Sequence, residues 1–435
     1  MQFKSCLVLC LVTALLLPLN AFSADENIPD SLPEPLTLEY ALTLIDKQHP
    51  DLQVIDANLQ NAQSSYLQAQ ANDDFKVNLK ADARWIEPSK LSPNQSKEDH
   101  RLGLVVNKTI YDFGLHSAQL AKTEQEVASQ DLLYFDARQG QYLNIMKKYF
   151  AVVLADLQFY RYNEEMAVAY IQYDRMNKRK ELGQYTELDV VQKEAEYQRI
   201  RRLRTFSQNQ QRVTRALLAQ ALNKPKNLPA TVAKPELDVT SRKLPDVEAV
   251  QKQAHENNAV LRALHAQLEA AKNSIEIARA GARPVLSAGL EAYEYKRELA
   301  SSDKWRAGIT LDVPLWSGER VDAAVAKAKA NVYKLEAQLS QQEFLINQKI
   351  LELCLALETL KIKYEEDLVA MNFTELSLDK TRALYEQEMQ TDLGYAMVRF
   401  SEAERNVMDT KFKITLAWAQ LDALSGNLLS NTIKK

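Results

Sequence analysis

The chain has 435 residues, of which 46% are hydrophobic and 26% charged, and it contains only 10 glycines and 13 prolines. This balance is typical of long helices and excludes a disordered chain. The formal net charge of -4 gives no reason to expect a nucleic-acid partner, and a mean hydropathy of -0.35 excludes a protein built from membrane-spanning helices.

Residues 1–23 are typical of a cleaved signal peptide. Lys4 provides the positive charge, residues 6–19 form an apolar run, and Ala21 and Ser23 are the small residues that precede a cleavage site. A short membrane anchor is the alternative, but the apolar run is short for a spanning helix. After cleavage only Cys354 remains, and a single cysteine cannot form an internal disulfide.

The rest of the chain is an internal repeat. Residues 24–223 and 246–426 each predict a helix, a β-hairpin, a long helix and a second helix, and a proline-rich linker at residues 224–245 joins the two halves. Residues 427–435 form a short tail.

The predicted hairpins, at residues 76–110 and 285–315, alternate apolar and polar residues. Runs of about ten such residues are typical of membrane-spanning strands, although a half-buried soluble hairpin alternates in the same way. The residues expected to face lipid are Leu79, Ala81, Leu104, Leu290, Ile309 and Leu311. Four aromatic residues near the hairpin tips favour the membrane, because they are expected to form an aromatic girdle: Trp85, Tyr293, Tyr295 and Trp305.

A long segment almost free of helix breakers follows each hairpin. Residues 115–182 and 319–387 predict helices of about 100 Å at about 1.5 Å per residue, and shorter helices are predicted at residues 187–222 and 392–424. Their apolar residues recur at spacings of three, four and seven. Because one helix cannot bury such a stripe alone, the helices must pack on each other or on other copies of the chain.

Four strands are too few to close a membrane barrel. An open sheet edge in lipid would leave backbone N–H and C=O groups unpaired, so several copies must complete the barrel if the strands span. Three copies give about twelve strands. The predicted fold is therefore mainly helical with a membrane β-barrel portion, in which four strands per chain contribute to a shared twelve-stranded β-barrel.

Six short segments carry a resemblance to one protein family. They are residues 36–42 (LTLEYAL), 49–52 (HPDL), 109–114 (TIYDFG), 182–190 (LGQYTELDV), 282–284 (ARP) and 313–318 (VPLWSG). In order and spacing they resemble the TolC-type outer-membrane efflux proteins. The resemblance implies a homotrimer in outer-membrane lipid, whose long antiparallel helical hairpins form a trimeric α-barrel that extends into the periplasm. It also implies a periplasmic adaptor protein and an inner-membrane transporter as partners.

The sequence thus predicts the outer-membrane channel of a tripartite efflux or type I secretion system, which catalyses nothing and needs no cofactor. The alternative is a periplasmic coiled-coil adaptor or scaffold. Such a protein would share the signal peptide and the helical hairpins, but it would not need two β-hairpins of membrane length. No two of the five histidines have the spacing of a metal site, and no phosphate loop or catalytic elbow occurs.

The reversals at the far ends of the long helices are where function is expected. The residues predicted there to contact an adaptor are Gly183, Gln184, Thr186, Leu188, Met389 and Thr391. Four acids beside them, Glu187, Asp189, Glu388 and Asp392, would repeat around the axis of a trimer and favour cations at its entrance. The alternative is that such acids only complement the helix dipoles.

Overall fold

The structure, a computed structural model, describes residues 32–45, 48–299, 302–387 and 392–429. The predicted signal peptide at residues 1–23 lies outside the described residues. Within the described ranges the elements, in chain order, are α1 (Leu38–Thr43), α2 (Pro50–Ala71), β1 (Lys76–Asp82), β2 (Arg101–Tyr111), α3 (Leu115–Lys180), α4 (Glu187–Ala221), α5 (Val247–Asn257), α6 (Ala259–Ala280), β3 (Val285–Tyr295), β4 (Trp305–Asp312), α7 (Arg320–Glu386) and α8 (Leu393–Leu424).

The mainly helical fold and the internal repeat are confirmed, because α2-β1-β2-α3-α4 is followed by the equivalent order α6-β3-β4-α7-α8. The long helices α3 and α7 have 66 and 67 residues, which corresponds to about 100 Å each at about 1.5 Å per residue. Each begins after a glycine with positive φ, Gly114 at 97° and Gly318 at 63°, a conformation that side chains other than glycine disfavour. No helix among the described residues is both long and apolar enough to cross a membrane.

The four strands form one antiparallel sheet in the order β1-β2-β3-β4. The two hairpins are therefore joined through β2 and β3, and β1 and β4 are the two edges of the sheet. Because successive side chains in a strand point to opposite faces, the pairing register fixes which residues share a face.

The helices lie side by side around the two continuous helices α3 and α7. Helix α3 packs against α2, α4, α6 and α8, whereas α7 packs against α5, α6 and α8. The order is therefore α2–α3–α6–α7 on the side of the strands and α4–α3–α8–α7 on the other side. Asn258 joins the start of α6 to the end of α8. Its side chain accepts the N–H groups of Val260 and Leu261 in α6 and donates to the carbonyl of Leu424 in α8.

The largest apolar cluster lies midway along α3, and we call it the equatorial core: Leu36, Leu38, Ala41, Ile145, Met146, Tyr149, Phe150, Val152, Val153, Leu157, Leu218, Ala221, Leu222, Phe412, Ala419 and Leu428. The hydroxyl of Tyr149 lies 2.9 Å from the carbonyl oxygen of Leu36 and 2.8 Å from that of Ala233. Burial raises the pKa of this phenol. The hydroxyl thus joins α3 both to the segment before α1 and to the linker.

Candidate functional site

The first helical reversal is a compact turn closed by its own backbone. Gly183 has φ of 73°, and its N–H donates to the carbonyl of Lys180 at 2.8 Å. Thr186 then caps α4: its hydroxyl accepts the N–H of Asp189, and the Asp189 carboxylate accepts the N–H of Thr186 at 2.9 Å. This is a capping box, which satisfies backbone donors at the start of a helix.

Two of the predicted entrance acids have partners within this turn. Hydrogen bonds from Thr186 hold the pKa of the Asp189 carboxyl below its usual range, so Asp189 has a capping function. Glu187 forms an ion pair with Lys180 from the last turn of α3. The apolar side chains of Leu182 and Leu188 are 73% and 76% exposed beside them. Exposed leucines at the end of a helical hairpin suit contact with another protein.

The second reversal is described only at its two ends. The predicted site residues Glu388, Met389 and Thr391 lie outside the described residues. Asp392 directly precedes α8, and its carboxylate accepts the N–H of Tyr395 at 3.2 Å and the side-chain amide of Gln172 from α3 at 3.3 Å. Asp392 therefore both caps α8 and contacts the first hairpin.

A polar network that was not predicted from the sequence joins the two helical hairpins near these reversals. Lys193 of α4 lies 2.9 Å from Glu196 and 3.4 Å from Gln172, and the hydroxyl of Tyr395 in α8 donates to Glu196 at 3.2 Å. The hydrogen bond between Lys193 and Glu196 raises the pKa of Lys193 and lowers that of Glu196. No periodic pattern in a single helix could indicate these contacts, because three different helices contribute to them.

A groove of about 840 Å³ lies between α3 and α8 in the same region. We call it the inter-hairpin groove; its lining residues are Glu164, Ala167, Val168, Ile171, Gln172, Arg175, Tyr385, Asp392, Leu393, Gly394 and Met397. Gly394 lets the helices approach, since a methyl group there would lie 3.1 Å from Cγ1 of Val168 and closer still to Cγ2. Ser401, one turn beyond the groove, donates to Glu164 at 2.6 Å.

The sheet separates apolar from polar residues. Leu79 pairs with Leu104, and the register continues this face through β3 and β4. All six residues that the sequence predicts to face lipid lie on this face: Leu79, Ala81, Leu104, Leu290, Ile309 and Leu311. The opposite face carries Lys80, Asp82, Asn107, Thr109, Ser287, Glu291, Arg306, Thr310 and Asp312. The two faces therefore differ in polarity across all four strands, although Lys108 and Glu294 lie on the apolar face and Val105 lies on the polar face.

The four predicted girdle residues do not share one face. Trp305 pairs with Ala292 on the apolar face, whereas Tyr293 pairs with Gly103 and Tyr295 with Arg101 on the polar face. The prediction is wrong for the two tyrosines, because Tyr293 and Tyr295 are an odd number of residues from Leu290. Trp85 lies beyond β1, 73% exposed and in edge contact with the ring of His100.

Large exposed aromatic residues also lie at the opposite end of the strands, where the sheet meets the helices. Phe75 is 67% exposed just before β1, Tyr111 is 58% exposed at the end of β2, and Trp316 is 89% exposed after β4. Aromatic residues at the ends of membrane strands are typical of the membrane–water interface. These three residues lie outside the hairpin tips, where the girdle was predicted. Among the described residues, no cluster of histidine, cysteine and acidic side chains could hold a metal ion.

Comparison with known proteins identifies the family. The sequence matches the profile described as outer membrane efflux protein over residues 42–224 and 250–427, which covers both predicted halves. No curated protein matches the chain significantly.

Several solved structures share the fold. The outer membrane protein VceC from Vibrio cholerae is 19% identical with a TM-score of 0.71, over 90% of this chain and 96% of that one. The Campylobacter jejuni CmeC outer membrane channel is 14% identical with a TM-score of 0.76, over 91% and 88% of the two chains. The Neisseria gonorrhoeae MtrE outer membrane channel is 16% identical with a TM-score of 0.68, over 90% and 89%.

These matches favour the predicted outer-membrane efflux channel over the alternative of a periplasmic adaptor. The chain belongs to the outer membrane efflux protein family, whose members are channels of the outer membrane and not enzymes.

Proposed function

We propose that three copies of this chain form one continuous conduit, with a twelve-stranded barrel in the outer membrane and a twelve-helix barrel in the periplasm. Through it, solutes delivered by an inner-membrane transporter and a periplasmic adaptor protein leave the cell. One observation carries the proposal: both the sheet and the helical layer have two free sides. These are β1 and β4 in the sheet, and α4 and α7 in the helical layer.

The sheet edges favour assembly with other copies. Strands β1 and β4 are the edges of an antiparallel four-stranded sheet, and they run in opposite directions. In lipid the unpaired backbone groups of an edge cost several kcal/mol each. Pairing β4 of one copy with β1 of the next removes both edges at once and keeps the apolar face outside. Three copies then give twelve strands, the number that the family resemblance implies.

The helical layer has matching free faces. The side of α7 away from α8 exposes a stripe of large apolar residues: Phe344, Leu351, Leu355, Ile362, Val369, Phe373 and Leu376. The outer face of α4, at the other side of the layer, exposes a second stripe: Leu188, Val191, Phe206, Val213 and Leu217. Stripes of this size are typical of a contact between proteins. A head-to-tail ring of copies brings α7 of one copy beside α4 of the next.

Charge supports this pairing. Helix α4 carries the exposed arginines Arg199, Arg201, Arg202 and Arg212. The C-terminal half of α7 carries the exposed acids Glu358, Glu365, Glu366, Glu375 and Asp379. Helix α7 runs toward the end of the molecule where the helices reverse, which we call the tip, and α4 runs away from it. Residues at equal distance from the tip therefore meet, which places the arginines of α4 beside the acids of α7. Opposite charges at the rim of an apolar seam favour one partner and one register.

Crosslinking tests the proposed seam. Ile362 and Val213 each lie about 37 Å from the tip at about 1.5 Å per residue, and they are 65% and 49% exposed. Within one chain, α3 and α8 separate them. In a Cys354→Ala background, Ile362→Cys combined with Val213→Cys should give covalent trimers with a short bis-maleimide. Neither Ile362→Cys alone nor Val213→Cys alone should give covalent trimers. Crosslinks confined to monomers would contradict the proposed ring.

For the helical tip we propose contact with the adaptor through Gly183, Gln184, Thr186, Leu188, Met389 and Thr391. The support from the structure is the exposure of Leu182 and Leu188 in a turn that is closed by backbone hydrogen bonds. We further propose that Asp392 and Glu388 favour cations at the entrance. Glu187 differs from Asp392 in its partner: Glu187 pairs with the cation of Lys180, whereas Asp392 accepts hydrogen bonds from the neutral groups of Tyr395 and Gln172.

Conductance separates these two pairs of acids. Asp392→Asn with Glu388→Gln should reduce the cation selectivity of channels in planar bilayers, because three copies lose six negative charges around one axis. Glu187→Gln with Asp189→Asn is the matched control and should change selectivity less. Unaltered selectivity in the first variant, with the amount of trimer unchanged, would remove the entrance function from Asp392 and Glu388.

A further inference from the structure

Tyr293 lies flat against the polar face of the sheet, over a residue that has no side chain. It pairs directly with Gly103 of β2. A methyl group added at Gly103 would lie 2.9 Å from Cγ of the Tyr293 ring and closer still to Cδ1 and Cε1. The ring thus occupies the space that a side chain at position 103 would need. Tyr293 is consequently only 9% exposed.

Neighbouring side chains hold the ring in this position. The guanidinium of Arg101 lies 5.5 Å from the ring centroid, within the range of a cation–π contact. Arg101 is itself fixed by a hydrogen bond of 2.5 Å from Nε to the Asp82 carboxylate on β1. On the other side the ring of Tyr295 lies 5.8 Å away. Side chains from three strands, β1, β2 and β3, therefore hold the Tyr293 ring against the sheet.

The position of this ring matters because of where it lies along the strands. Tyr293 is two residues from the end of β3, and the end of β3 faces away from the long helices. In the proposed trimer this is the extracellular end of the barrel, and the polar face is the lumen. Three tyrosines would then lie at one height around the outer mouth. A tyrosine that points away from the wall narrows a pore much more than one that lies against it.

We propose that Gly103 and Tyr293 together set the bore of the channel at its extracellular mouth: the absent side chain at position 103 gives the tyrosine ring a recess in the wall, so that the mouth stays open. This inference rests on the proposed function, since it takes the polar face as the lumen. The two residues determine which solute sizes can leave.

Gly308 provides a matched control. It lies on the same polar face, where it pairs with Gly289, but a methyl group added there would meet nothing within 4 Å. Gly103→Ala and Gly308→Ala therefore add the same atoms to the same face. Only the first displaces a ring.

Labelling from outside the cell measures the bore at this height without involving the helical tip. Thr310 lies on the polar face, pairs with Ser287, and is farther from the outer mouth than Tyr293. In a Cys354→Ala background, Thr310→Cys is treated with maleimide-linked polyethylene glycols of increasing size added to intact cells. The amount of trimer is measured for every variant.

Gly103→Ala should lower the labelling rate at least tenfold for the largest polymer that the parent admits, because each ring must turn away from the wall. Gly308→Ala should label like the parent. Gly103→Ala combined with Tyr293→Ala should restore the rate, since no ring remains to be displaced. Equal rates for Gly103→Ala and the parent at every polymer size would overturn the inference, as would a double variant that stays blocked. If instead a small charged maleimide fails to label Thr310→Cys in the parent, the polar face is not the lumen and the proposed function itself fails.

Discussion

Helices α3 and α8 meet in two regions that differ in chemistry. In the equatorial core, Phe150 of α3 and Phe412 of α8 stack with ring centroids 4.2 Å apart and planes within 3° of parallel, and they are 2% and 1% exposed. Nearer the tip the same two helices meet through hydrogen bonds, from Ser401 to Glu164 and from Gln172 to Asp392. The inter-hairpin groove lies between these polar contacts.

The difference indicates which part of the contact can open. Water can replace a half-exposed hydrogen bond, so its net contribution is only about 0.5–1.5 kcal/mol. Water cannot replace the contacts of a buried aromatic ring, whose removal costs about 3–5 kcal/mol. We therefore expect the two helical hairpins to separate first near the tip, while the equatorial core holds them together.

The largest effect is expected in the equatorial core. Phe412→Ala should lower the free energy of unfolding by about 3–5 kcal/mol per copy, because it leaves a cavity beside Phe150. The loss can be measured from helical circular dichroism during denaturation. Leu228→Ala in the exposed part of the linker, where the leucine is 53% exposed, is the control and should change stability by less than about 0.5 kcal/mol. Equal effects of the two substitutions would contradict the assigned core.

A smaller effect is expected nearer the tip. Ser401→Ala removes the hydrogen bond to Glu164 and should cost about 1 kcal/mol or less, since water can reach the carboxylate. It should also speed hydrogen exchange in the first turns of α8 more than in its last turns. Ser64→Ala is the control, because that hydroxyl bonds only its own helix, at the carbonyl of Gln60. A cost of about 3 kcal/mol or more for Ser401→Ala would contradict the comparison between the two regions.

The long elements could be predicted from the sequence because glycine and proline are rare. The structure ends α3 at Lys180 and α7 at Glu386, within two residues of the ends that the breaker pattern predicts at 182 and 387. The polar network near the tip could not be predicted in this way. Ser401 and Glu164 are 237 residues apart, and nothing in the local sequence of either one indicates the other.

The girdle prediction was wrong for Tyr293 and Tyr295 for a different reason. Strand alternation alone puts Tyr293 and Tyr295 on the face opposite Leu290, so the sequence contained the information. The girdle prediction used only their distance from the hairpin tip. By contrast, no sequence pattern could show that Tyr293 covers Gly103, because the pairing of β2 with β3 joins two separate hairpins.

The mass of the folded, detergent-solubilised protein tests the central claim most directly. The chain requires partners on both sides, since β1 and β4 each have a neighbouring strand on one side only among the described residues, and α7 exposes Phe344, Val369 and Phe373 by 73%, 71% and 69%. Native mass spectrometry of protein extracted from the outer membrane should therefore give three times the mass of one mature chain, with helical circular dichroism intact. A stable, fully helical monomer under the same conditions would contradict the shared barrel, and with it the channel.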